Sequence, residues 1–592
     1  MINTSEAFKV AVRQSTRATK SRVKFSVIDV TARTQAVPSA TTSQPFTDIQ
    51  DTLDESTVAD IGVGTFEDDF FMLDGTFNLM PDNPVDINLG WWSGYLSNEF
   101  GVFDTLPHLI YQFEENHSSV GVKIVFDEVN GTICSEFEVV WYDLLDVELA
   151  RVLVEGNEDY EANVSENVEN YGRIDILFHK TPQPYRYVKM TEMVFGLEEV
   201  FSSGDIISGD IVEEVDPSSN TLSYNNMNVT VYNENQKFNM LNPEGIYAYL
   251  QSRQPISVET GLEIANGNYE YVPLGVYYLS DWSNSTGITA TLKGGDIISL
   301  LDRTEFISSP FWSDALFSDI INFIVQDAFP DMTIEVEISS ELTAATLTGY
   351  LPRMTHREAL HKVIMAVGGS LKAKRNGGLY FFKVDDIKEK DIANDVIINF
   401  PQIEQKQLIT AVNVPQISYI LSAVQDISKY KMAFIGEQSI VLDFPKAVHS
   451  VSSVNITGLG TIVGSPTVST SCMEIVVDAT GEFEIAVSGQ VYEESITVFT
   501  SKLSLLAGQS HQTAEVAPNT MLAKGANELA VYLLGYYQKR ILQKFDYWSD
   551  PSLEAGDKVG VQTMFGDSYE GVIEVQEITF APNLQAKMEV VG

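Results

Sequence analysis

A mainly β, multidomain fold with a smaller α+β part is what this sequence predicts, and three observations carry the prediction. At 592 residues the chain is too long for one hydrophobic core, so several domains are expected. Its 31 Phe and 25 Tyr, together with many Val, Ile and Thr, favour strands. Short runs of alternating apolar residues recur along most of its length, whereas helical spacing is confined to a few segments.

The opening MINTSEAFKVAVRQSTRATKSRVKF is basic and nearly acid-free, a composition shared with transit peptides, but it lacks the apolar block of a secretory signal. It reads as a short helix with Phe8 and Val12 on one face, leading into a strand that alternates Val23, Phe25 and Val27. RTQAVPSATTSQPFTDIQDTLDEST is rich in Ser, Thr and Pro and predicts a linker, with a boundary near 35–60. Between about 60 and 190, GVKIVF places Val122, Ile124 and Phe126 on one side of a strand. FEVVWY does the same with Phe137, Val139 and Trp141, and RIDILFHK with Ile174, Ile176 and Phe178. A β-sandwich is expected there. The acidic run VEGNEDYEANVSENVENYG among these strands reads as a solvated loop or face and lacks the ligand spacing of a calcium loop.

Residues 190–310 continue in strands, including DIISGDIVEEV, NNMNVTVY and YEYVPLGVYYL, with a hairpin turn at Asn266-Gly267 and a short closing helix in GGDIISLLD. In SDALFSDIINFIVQDAF, Leu316, Ile320, Ile321 and Ile324 keep helical spacing. In THREALHKVIMAVGG, Thr355 and Glu358 form a capping box and Gly368-Gly369 supplies a stop. SLKAKRNGGLYFFKV predicts a hairpin turning at Asn376-Gly377. Strand-like stretches broken by Gly, Pro, Ser and Thr follow. GANELAVYLLGYYQKRILQKF then predicts a helix of about four turns or more, with Leu529, Tyr532, Leu533 and Tyr536 on one face. DKVGVQTMF, YEGVIEVQEITFA and LQAKMEVVG close the chain as strands. No repeat of 20–50 residues stands out, which disfavours a solenoid or propeller.

The formal charge of -45, from 82 acidic and 37 basic residues, argues against stable nucleic-acid binding and suits a surface that nucleic acid passes without sticking. Cys134 and Cys472 are too few and too far apart for a disulfide framework or a cysteine zinc site. No apolar run reaches the length of a membrane span. His356 and His361 in HREALH are five apart, about 500° of helical rotation, so they face different sides and no zinc pair is expected. GLGTIVG at 458–464 does not match a dinucleotide fingerprint, and neither a phosphate-binding loop nor a nucleophile elbow is present. The seven histidines are scattered. Non-enzymatic function is expected, with no catalytic, metal or cofactor site.

NLGWWSGYLS supplies the candidate contact residues Trp91, Trp92 and Tyr95, which suit a glycan platform, a core plug or an interface anchor. Adjacent strand residues face opposite sides, so the two tryptophans cannot share one core. One is expected to plug the sandwich and the other to be covered by a neighbouring domain or subunit.

DIISGDIVEEVDPSSNTLSYNNMNVTVYNENQKFNMLNPEGIYAYLQSRQPISVETGL, followed by YVPLGVYYLSDWSNSTGITATLKGGDIISLLDRTEF, resembles the hub proteins of tailed-phage baseplates and tail tips. The likeness is to the Tal-like, tail-associated hub class of phages and prophages of Gram-positive bacteria. LTGYLPRMTHREALHKVIMAVGGSLKAKRNGGLYFF and the C-terminal helix with SDPSLEAGDKVGV are similar to the same class, so the likeness covers about 190–390 and 520–592. It implies a homotrimer in which two β-barrel-like domains per subunit make a pseudo-hexameric ring in the distal tail or baseplate of a virion. It also implies the distal tail or tail-tube ring and receptor-binding or fibre proteins as partners, with DNA transiting the channel.

The expected division is then 1–59 as an N-terminal helix, strand and linker, 60–189 as a decorating β-sandwich, and 190–310 as a first barrel-like hub domain. An α+β hub domain at 311–389 follows. The last hub domain takes 390–429 and 516–592, around a small β-module at 430–515. Many members of the class continue into a fibre attachment or a wall-degrading enzyme. This sequence stops at MEVVG, so a lytic role is expected on another chain. A receptor- or carbohydrate-binding tail protein, and the hub of a phage-derived contractile injection particle, remain alternative functions.

Overall fold

The computed structural model describes all residues other than 15, 54–61, 68–69, 71–76, 80–87, 234–235, 237, 240–253, 266, 284–287, 331, 333, 385–387, 400 and 505–511. Helix α1 (Glu6–Ala11) starts where the Phe8 amide donates to the Ser5 hydroxyl, and it seats Phe8 and Val12 against Leu262 and Val272. Strand β1 (Thr19–Ile28) buries Val23 and Phe25, as the alternation predicts; the side chain of Val27 is outside the described residues.

At Asp29 the chain leaves β1 for a separate seven-stranded sheet. The Asp29 carboxylate caps α2 (Val30–Gln35) by accepting from the amides of Thr31 and Ala32. The strands are β2 (Val37–Ala40), β3 (Trp91–Trp92), β4 (His108–Phe126), β5 (Glu136–Tyr142), β6 (Glu148–Glu155), β7 (Glu161–Lys180) and β8 (Lys189–Val194). Their order is β3-β8-β4-β7-β5-β6, with β2 on β4. The long strands β4 and β7 slip register between Gln112 and Gly121, and these bulges bend both so that their two halves share one core. All nine residues expected to point inward from GVKIVF, FEVVWY and RIDILFHK are no more than 1% exposed.

One expectation needs correction here, and another is met. The Ser/Thr/Pro-rich segment is not a plain linker: β2 pairs with β4 from Val37↔Gln112 to Ala40↔Leu109, because that edge of β4 is otherwise open. The departure from the first sheet therefore comes at Asp29, ahead of 35–60. The acidic run is the solvated face of β7, where Glu161, Asn163 and Ser165 are exposed and Ala162, Val164 and Val168 are buried.

The chain returns in β9 (Gly196–Ser202), which pairs with β1 so that Gly196 lies opposite Ile28. Then come β10 (Ile206–Glu214), β11 (Asn226–Tyr232), β12 (Pro255–Ala265), β13 (Asn268–Ser283) and β14 (Thr289–Gly295). The β12–β13 hairpin turns as predicted, with Gly267 at φ 86°, while Asn266 is outside the described residues.

Helix α3 (Phe317–Ala328) buries Ile320, Ile321 and Ile324 completely. Leu316 does not join them: it ends a short strand paired with Thr346 and stays 43% exposed, and Phe317 fills the core instead. Helix α4 (His356–Val367) carries the predicted capping box and stops at Gly368, φ 63°. Thr355→Ala removes the hydroxyl that accepts from the Glu358 amide and is expected to cost about 1 kcal/mol, read as a lowered urea midpoint. The hairpin of β15 (Ser370–Ala373) and β16 (Leu379–Phe382) turns through Gly377, φ 97°.

After β17 (Lys388–Ile392) and β18 (Gln402–Gln405), β19 (Ala411–Leu421) pairs with the last third of β22 (Cys472–Lys502). Between them, β20 (Gln425–Asp443) and β21 (Val448–Val468) flank the first part of β22 on either side. Glycines sit together at mid-strand: Gly436 opposite Ala479, Gly458 opposite Phe483, Gly460 opposite Ala479. A Cβ at Gly458 would lie 2.6 Å from the Glu482 carbonyl, so only glycine fits this corner. The three strands fold over there. The Val448 amide reaches the Thr470 carbonyl at 2.7 Å, and the Tyr492 amide reaches Ala447 at 2.8 Å, which brings both ends of the ribbon together. Met473, Ile475 and Val477 then pack with Phe483, Ile485 and Val487 in one small core.

Helix α5 (Ala526–Tyr536) has 11 residues, about three turns where four or more are expected, because Ile541 onward is drawn into a sheet. It buries Leu529 and Leu533 in one core with residues of α3, α4 and β19, while Tyr536, also buried, donates its hydroxyl to Glu574. Strands β23 (Ile541–Tyr547), β24 (Lys558–Gln562), β25 (Ser568–Ala581) and β26 (Gln585–Val591) complete a thirteen-stranded sheet. Its order is β9-β1-β12-β13-β14-β11-β10-β25-β26-β23-β18, with β24 on β25 and β17 on β24. No helix among the described residues is long and apolar enough to cross a membrane.

Candidate functional site

The large sheet is assembled from two blocks of strands that are distant in sequence, and β10 and β25 are their seam. These two strands pair antiparallel from Gly209↔Ala581 to Glu214↔Val575, and Ile211 and Ile578 are fully buried at the junction. One apolar core, with Phe25, Ile256 and Leu292 from the first block and Phe545, Ile573 and Met588 from the second, runs beneath both.

Arg375, in the β15–β16 turn, pins the α+β part to this seam. Its Nε donates to Glu213 Oε1 at 2.6 Å and its Nη2 to Oε2 at 2.9 Å, a two-pronged pair in which both side chains are 4% exposed. The same guanidinium donates to the carbonyls of Pro273 at 3.3 Å, Leu553 at 2.7 Å and Pro551. Burial works against its charge, but the attraction of Glu213 outweighs it and holds the guanidinium above its ordinary range. Sequence reading passes over this residue, since nothing local to KRNGG names a partner 162 positions away.

Unpaired strand edges and apolar tips mark the surface around these blocks. All four residues of β18, at one end of the sheet, are exposed, and Ile403 is 66% exposed. Residues 493–498 of β22 form a second open edge, with Ile496 and Val498 each 56% exposed. The β24–β25 turn carries Met564 and Phe565 outward, at 67% and 84% exposure. Such edges template pairing with another chain unless something covers them.

The tryptophan pair corrects its prediction. Trp91 and Trp92 do occupy opposite sides of β3, yet both are 0% exposed within the single chain. Trp91 lies in the main core of the seven-stranded sheet, stacked on Phe178 at 5.6 Å, and its indole N–H donates to the Thr42 carbonyl. Trp92 sits in a satellite core with Phe46, Val63 and Leu89 and donates to the Leu89 carbonyl at 3.2 Å. The cover for Trp92 thus comes from within the chain: Phe46, from the segment expected to be a linker, joins Val63 and Leu89 over it. Of the three candidates only Tyr95 reaches the surface, at 48% exposure.

A lysine already occupies the aromatic face of Trp92. Lys189, its cross-strand partner, holds its ammonium 4.6 Å above that ring and 4.1 Å above Phe70, while donating to Glu67 Oε2 at 2.7 Å and the Asn130 carbonyl at 3.0 Å. Both charged side chains of the Glu67–Lys189 pair are completely buried. Burial pushes Lys189 below its ordinary pKa and Asp127 nearby above its own. No aromatic face in this pair is left for a sugar.

The remaining motif residues are structural. His356 Nε2 meets Asp327 Oδ2 at 2.9 Å, whereas His361 Nε2 meets the Ser219 carbonyl at 2.8 Å, so the two imidazoles point apart as the five-residue offset requires. Cys134 and Cys472 are free and buried, and burial pushes the Cys134 thiol up to about 12, which keeps it protonated.

No protein-family profile matches the chain, and no curated protein matches it. Among solved structures it is similar to the 43 kDa tail protein of prophage MuSo2 from Shewanella oneidensis, at 10% identity and TM-score 0.37, over 66% of this chain and 95% of that one. A tail protein from Neisseria meningitidis is similar at 11% identity and TM-score 0.38, over 66% of this chain and 92% of that one. An E. coli component of the type VI secretion system, described as structurally similar to bacteriophage T4 tail proteins, is similar at 8% identity and TM-score 0.32, over 65% of this chain and 73% of that one.

Proposed function

We propose that this protein is a structural tail hub: three copies close into a ring that joins a tail tube to baseplate or receptor-binding parts and passes DNA on ejection. The observation that carries the reading is the seam. One chain holds two β-blocks side by side, edge to edge through β10 and β25, so three chains set six blocks around an axis. The likeness of 190–390 and 520–592 to tail hubs falls on both blocks and on the α+β part pinned between them.

Ring closure by identical chains uses two different surfaces per copy, and β18, the 493–498 edge and the Met564–Phe565 tip supply open edges and apolar contacts for it. A net charge of -45 per chain gives the ring a surface along which DNA slides without releasing counterions. The role asks nothing of a catalytic residue. Repulsion between such acidic copies makes association strengthen with added salt.

Mass photometry and electron microscopy of the purified chain test the proposal. Three copies in a ring with an acidic axial channel are the expected result. A monomer at micromolar concentration and high salt, or a channel lined by basic residues, overturns it.

A further inference from the structure

Where the folded-over β20–β22 ribbon meets the α+β part, a cavity of about 270 Å³ opens to solvent. One wall is Glu305 with the loop that carries Tyr350, Pro352 and Arg353. The other is the β20–β21 turn, with Asp443, Phe444 and Lys446, and Ser471 at its base.

Hydrogen-bonding capacity is left over in this cavity. Arg353 gives Nε and Nη2 to one oxygen of Glu305, Oε2, at 3.0 and 2.7 Å. Its Nη1 stands 3.7 Å from Asp443 Oδ2, beyond a hydrogen bond. Glu305 Oε1 and Asp443 Oδ1 have no partner among the described residues. Ser471, 7% exposed, has an Oγ with no partner among the described residues, which is costly for a buried hydroxyl unless something fills the site. Tyr350 and Lys446 are already engaged, the phenol with Glu494 at 3.0 Å and the ammonium with both oxygens of Glu493.

The chemistry of these groups selects a ligand class. Arg353 is matched by Glu305 and Lys446 by Glu493, which leaves Asp443 as a surplus carboxylate, so the cavity has no free positive charge with which to attract an anion. What it offers is alternating donors and acceptors a few ångströms apart, beside the half-buried ring of Phe444. Hydroxyls both donate and accept, and vicinal hydroxyls bridge a carboxylate and a guanidinium without breaking the pair. The volume is just under the range of about 300–1,000 Å³ that takes a drug-sized ligand, so it suits one ring within the cavity.

We infer that this cavity binds a single uncharged pyranose unit, its hydroxyls on Asp443, Glu305 and Arg353 and its apolar face on Phe444. The site lies far along the chain from the tryptophan pair and is complete within one subunit, so it goes beyond the hub reading and does not rest on it.

Calorimetry and saturation-transfer NMR on the full chain test this, with methyl glucoside, methyl galactoside and N-acetylglucosamine as neutral probes and glucose 6-phosphate as the charged one. Saturable binding of at least one neutral sugar is expected, weakened tenfold or more by Asp443→Asn and by Arg353→Ala. The side chain of Asp443 is 62% exposed, so Asp443→Asn keeps the wild-type thermal midpoint and separates binding from folding. No saturable binding of any neutral sugar, tighter binding of glucose 6-phosphate, or unchanged affinity in both variants overturns the inference. Mass photometry on the same samples reports assembly independently, so failure here leaves the hub proposal standing, and the reverse.

Discussion

Glu213→Gln is expected to cost about 3–5 kcal/mol, because it leaves the Arg375 guanidinium buried without its counter-charge. The loss concentrates at the seam. Glu213 belongs to β10, Arg375 to the α+β part, and the carbonyls of Pro551 and Leu553 to the second block, so three regions lose one shared anchor. A chain of this size need not unfold in one step, so the readout is local: hydrogen exchange of the β10 and β25 amides, alongside the urea midpoint. Both strands should exchange faster in Glu213→Gln while β20–β22 are unchanged. The double variant Glu213→Met with Arg375→Met should cost less than the sum of the single changes, since no lone charge remains buried. A seam unaffected by Glu213→Gln would show that strand pairing alone holds the two blocks together.

Glu67→Gln should be as severe within the seven-stranded sheet, again about 3–5 kcal/mol, because Lys189 is then left buried against Trp92 and Phe70 without the carboxylate it is hydrogen-bonded to. Lys189→Met together with Glu67→Gln should recover much of that loss, as the apolar stem still fills the space beside Trp92. Tryptophan fluorescence and the urea midpoint report both changes. Equal costs for the single and double variants would mean that the pair contributes packing and no electrostatic term.

Local rules were enough wherever a few neighbouring residues decide the structure. Thr355, Glu358 and Gly368 mark both ends of α4, Asn376-Gly377 turns its hairpin, and all nine residues that alternation puts inward on β4, β5 and β7 are buried. Alternation also puts Trp91 and Trp92 on opposite sides of β3. It cannot say what lies on the far side, because Phe46 and Lys189 reach Trp92 through tertiary folding. Leu316 fits a helical period but is captured by strand pairing, a case of tertiary contact overriding spacing. The 31-residue strand β22 reads as several short strands, since its glycine corners look like turns when they are bends within one ladder. The candidate sugar cavity was not legible at all. Glu305, Arg353, Asp443 and Ser471 belong to four separate stretches, none with a motif, and they converge only when the ribbon folds over.

Both extra β-regions leave and re-enter the body at paired positions. Residues 29–195 depart from Ile28 and come back at Gly196 directly opposite, and residues 422–491 depart from Leu421 and come back at Tyr492, again directly opposite. Paired residues on neighbouring strands are only about 4.5–5.5 Å apart, a gap that a two-residue turn can close. Each region is therefore a cassette on a hairpin socket, removable or exchangeable with no change to the ladder that carries it. A lineage could swap what this protein displays while keeping the seam and the pinning arginine, with Val120 as the point where the first region reaches into the core beneath them.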